Sequence, residues 1–80
     1  MRNNNNNTRE LECFRLLTDY TKAVEIIREA ESQLADDRFE MFKQRNTEIL
    51  VNYDILERIL YERIRELNCD DFYEYPTRRS

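Results

Sequence analysis

The sequence predicts an all-α protein folded as an antiparallel two-helix hairpin. The chain has no Gly and only one Pro, and 38% of its residues are charged, so the turn chemistry of an all-β fold is missing. Apolar residues recur at steps of three and four along two long stretches, the spacing that stacks side chains on one side of an α-helix. Only a short polar stretch, Asp36-Asp37, separates them, and a connector of a few residues favours antiparallel neighbours.

Residues 1–7 are polar, Asn-rich and without periodicity, and are expected to be a disordered leader. The hairpin is assigned to 8–68. Its first helix starts near Thr8, with Asn7 or Thr8 as N-cap. Cys13, Leu16, Tyr20, Ala23, Ile27, Ala30 and Leu34 then form a seam of heptad type, as in a coiled coil. Leu17, Val24 and Ile26 lie on its flanks and make the apolar face wider than one neighbouring helix needs to cover.

Asp37, with Glu40 three residues on, fits an N-cap for the second arm. The surest helical pattern in the chain is 53–67, where Tyr53, Leu56, Ile59, Leu60, Ile64 and Leu67 share a face. Upstream, Thr47, Ile49 and Val51 alternate and two Asn residues flank them, all poor helix formers. One long helix from about 37 to 68 is the preferred reading, and the alternative is a compact three-helix bundle with a break near Asn52. A turn centred near 36 makes facing residue numbers sum to about 72, from the rise of straight helices. Leu16 then meets Leu56, and Tyr20 lies near Tyr53. Asn46 falls on the seam or at its solvent edge.

The tail, 69–80, is acidic and aromatic first and basic last. Phe72, Tyr73 and Tyr75 either anchor in a partner's pocket or fold back over the open end of the hairpin, and the second is preferred because a small core gains most from such a cap. In the straight-hairpin register Cys69 lies about 15 Å beyond the level of Cys13. A disulfide requires α-carbons within about 7 Å, so both thiols are expected to be free, as is usual in a reducing compartment.

Function is bounded more by exclusion than by motif. With no His, no nucleophile beside a base and no Gly-rich loop, catalysis is not expected, nor is a metal or cofactor site. Net charge is −4 and the basic residues are scattered, which disfavours direct nucleic-acid binding. No stretch is long and apolar enough for a membrane span, and an intracellular location is expected. The expectation is a non-enzymatic adaptor or assembly subunit that binds a protein partner or a second copy, completing a helical bundle. The residues assigned to that contact are Leu17, Val24, Ile26, Phe72, Tyr73 and Tyr75. The alternative is a small acidic regulator that presents carboxylates to a nucleic-acid-binding protein.

Overall fold

A computed structural model describes residues 2–76, and side chains from Asn7 onward. Helix α1 spans Arg2–Leu34 and helix α2 spans Lys43–Glu66, with a 3-10 helix over Asp37–Phe42 between them and another over Cys69–Asp71 after α2. The helices pack antiparallel into a rod 56 Å long and about 18 Å across. The chain is thus an all-α hairpin. Helix α1 begins at Arg2, so residues 2–7, expected as a disordered leader, belong to the helix, and neither Asn7 nor Thr8 is its N-cap.

The buried residues of α1 are Cys13, Leu17, Tyr20, Ala23, Val24, Ile27 and Ala30. Most of them belong to the seam read from the sequence. Helix α2 runs without a break through Asn52, so the three-helix alternative does not hold. Burying one face along its whole length outweighs the modest propensity cost of its β-branched residues.

The second arm nevertheless starts later than expected, at Lys43. Asp36, not Asp37, caps the connector: its carboxylate accepts from the backbone N–H of Arg38 at 3.0 Å and from the Arg38 guanidinium at 2.7 Å. That hydrogen bond with Arg38 holds the Asp36 carboxyl below the usual carboxylate range. Phe39 then leaves helical geometry at φ −107°, ψ 21°. The reversal therefore spans eight residues and is centred near Arg38 and Phe39.

This shift corrects the register. With Leu34 and Lys43 as the facing helix ends, opposed numbers sum to roughly 77 for straight helices. Tyr20 accordingly packs its ring 6.1 Å from that of Tyr61, rather than beside Tyr53, and Arg63 pairs with Glu12 at 3.1 Å. An offset of about five residues exceeds one helical turn, so the set of α2 side chains turned inward changes as well.

The end of α2 is shaped by Asn68, which adopts left-handed φ 52°, ψ 51°. Among residues with a Cβ, Asn tolerates that conformation best. The Asn68 N–H still reaches the carbonyl of Arg65 at 3.1 Å, while the chain turns back across the end of the hairpin. Cys69 is thereby brought to Cys13 with α-carbons 5.4 Å apart, and the two form a disulfide. The expectation of free thiols is overturned here, because the straight-helix extrapolation ended where the chain reverses.

Arg9 fastens the same corner from the other side. Its guanidinium donates to the carbonyl of Leu67 at 2.8 Å and to Asp71 at 3.2 Å, and lies 4.5 Å from the centroid of the Phe72 ring. A cation at the carbonyl end of a helix is favoured by unpaired acceptors and by the dipole together. Because the left-handed turn carries the chain to the disulfide, Asn68→Gly is expected to leave stability unchanged or raise it by up to about 1 kcal/mol. Asn68→Val is expected to cost about 2 kcal/mol. Thermal melts of the two variants in parallel check this, and equal melting temperatures would contradict the geometry.

Candidate interaction surface

The inward face of α2 is completed by Asn46, Tyr53, Glu57, Leu60, Ile64 and Leu67, with Asn46, Glu57 and Ile64 fully buried and the others half-buried. Their spacing keeps a heptad rhythm. Two polar residues thus occupy the seam while apolar ones are displaced from it. Val51, Ile55 and Ile59, at four-residue steps, are more than half exposed, and Leu56 beside them is 42% exposed.

This outer stripe is flanked by charge. Asp54 accepts from Arg58 at 3.2 Å within the helix, and Arg63 bridges Glu12 and Glu66. Arg63 is held above the ordinary guanidinium range, first by its hydrogen bond to Glu12. Exposed pairs of this kind contribute little stability and rearrange at little cost. They leave the apolar stripe accessible.

The residues expected to make the contact are distributed otherwise. Leu17 and Val24 are buried, and belong to the core with Cys13, Tyr20, Ile64 and Cys69. They are not surplus, because α2 is not the sole cover of α1: the tail aromatics pack against the same core. Phe72, Tyr73 and Tyr75 pack against that core, with Tyr75 edge-on to Tyr20 at 6.0 Å and Tyr73 against Phe14 at 6.3 Å. Desolvation, and then the charge of Asp70, push the Tyr75 hydroxyl above the ordinary phenol range. The tail aromatics therefore fold back over the hairpin.

Ile26 lies apart from these, half-buried in a groove of about 490 Å3 near the turn. Ala30, Phe39, Phe42 and Ile49 share its apolar lining, and Glu25, Glu29 and Arg45 its charged rim. Asn46 also borders it, 3% exposed, with its amide Nδ2 unpartnered among the described residues. The sequence-derived set is thus split between core, tail and groove, and forms no continuous surface. The exposed stripe on α2 was missed. Its signal was present, since apolar residues encircle α2 from Ile49 to Leu60, more than one buried face can use.

Among the described residues no three His, Cys, Asp or Glu side chains converge as metal ligands, and no helix is long and apolar enough to cross a membrane. No family model, curated protein or solved structure matches the chain.

Proposed function

We propose that the protein is a non-enzymatic helical assembly module that binds a protein partner or a second copy through the outer face of α2. The observation that carries the proposal is the exposure of Val51, Ile55, Leu56 and Ile59 together on one helix. Contiguous apolar surface on so small a protein marks a contact to be covered. Interface cores are depleted in charge and built around such anchors. A disulfide joining the two arms of the hairpin fits a working environment in which thiols stay oxidised.

Ile55→Glu tests the proposal, because Ile55 is 53% exposed and a carboxylate there leaves the hairpin's own core untouched. Association measured by sedimentation or by capture is expected to fall sharply in the variant, and to change little in the native protein between low and high salt. Association that survives Ile55→Glu and weakens steeply with salt would instead support the acidic-regulator reading.

A further inference from the structure

We infer that the occupant of this face is a second copy of the chain, docked α2 against α2 in antiparallel orientation about a two-fold axis between Ile55 and Leu56. The inference rests on the reading of the α2 face as an assembly surface and adds its partner and its geometry. An isologous contact requires a patch complementary to itself. The charges around the stripe satisfy that requirement in one direction only.

With the axis between Ile55 and Leu56, Glu48 comes level with Arg63 of the second copy and Arg45 with Glu66 of the second copy. Symmetry repeats both pairs. All four side chains are exposed, and the existing bridges of Arg63 to Glu12 and Glu66 are themselves exposed, so the forks can be shared across the contact. Asn52 meets Ile59 of the second copy, and Ile55 meets Leu56 of the second copy, which places the apolar stripe at the centre and the charges at the rim. In parallel orientation Glu48 would face Glu48 and Arg63 would face Arg63, and like charges juxtaposed across an interface disfavour the pairing.

The 24 residues of α2 extend about 36 Å at the standard helical rise, and the contact has to run along most of that length, charged ends included, to reach the roughly 1,200 Å2 at which stable interfaces begin. Each copy keeps its own disulfide and core, so the dimer forms from folded hairpins.

The test combines sedimentation with site-specific cross-linking on the full-length oxidised chain. Native protein is expected to be dimeric in the micromolar range, and Ile55→Glu to weaken association about 100-fold, with helicity and disulfide retained. A photo-reactive phenylalanine analogue in place of Asn52 is expected to cross-link to the Ile59 region of the second copy. Cross-links between Asn52 positions themselves would mean a parallel pairing and overturn the geometry. A folded monomer up to about 100 μM, well above the micromolar affinities of weak specific complexes, would overturn self-association while leaving the α2 face open to a different protein. A dimer indifferent to Ile55→Glu would overturn both the inference and the reading it rests on.

Discussion

Replacing Cys13 and Cys69 together by Ala is expected to lower the unfolding free energy by about 4 kcal/mol. The two residues are 56 positions apart, and cross-linking a loop of that length removes conformational freedom mainly from the unfolded chain. A loss of that size takes most of the few kcal/mol that a single small core supplies. Both cysteines are fully buried, so Ala is preferable to Ser, whose hydroxyl would require a partner there. The tail should also loosen in the variant, because Phe72, Tyr73 and Tyr75 are held against α1 by the same linkage. Urea unfolding of native and variant protein checks the energy, and limited proteolysis beyond Asn68 checks the tail. A midpoint unchanged by the double substitution would show that the two sulfurs are not joined.

Ile64→Ala is expected to cost about 3 kcal/mol, whereas Ile59→Ala, measured on dilute protein, should change stability by no more than about 0.5 kcal/mol. Ile64 has no exposed surface and sits in the core with Cys13 and Tyr20, while Ile59 is 59% exposed. Removing three heavy atoms from a packed site leaves a cavity, and removing them from an exposed site leaves water. The pair of variants thus reports the rotation of α2 about its own axis. Equal losses would place both residues in the core and remove the exposed stripe on which the assembly proposal stands.

That rotation was the least legible feature of the sequence. In α1 the apolar positions from Cys13 to Ala30 admit essentially one buried face, and the structure uses it. In α2, Leu56 and Ile59 have the same chemical claim to the interior as Leu60 and Ile64, and local periodicity cannot choose between overlapping stripes. The choice is made by register, which depends on how the turn is built. The Asp36 cap and the 3-10 geometry after it move the reversal by two to three residues, enough to bring Glu57 into the seam and turn Ile59 outward. The disulfide was illegible for a related reason: it depends on a single left-handed residue, Asn68, and no extrapolation from straight helices includes one.

The site residues illustrate the same limit. Leu17 and Val24 lie in the core, and the chain's own tail, through Phe72, Tyr73 and Tyr75, packs against that core. Arg9 looked like one of many scattered charges, and gained its role only when the carbonyl of Leu67 was brought to it. Both cases turn on contacts between residues more than 50 positions apart, which no local pattern encodes.

The placement of the disulfide also fixes how the molecule would respond to tension. A pull applied through the two ends of the chain passes from Cys13 directly to Cys69, so the whole hairpin between them lies outside the load path. Stretching the oxidised protein would load only the segments outside the bond, including the part of α1 that precedes Cys13, while the hairpin between the two cysteines would feel no unfolding force. Reduction would place the intervening segment in series and add on the order of 190 Å of extensible length, at the reach of a fully extended backbone.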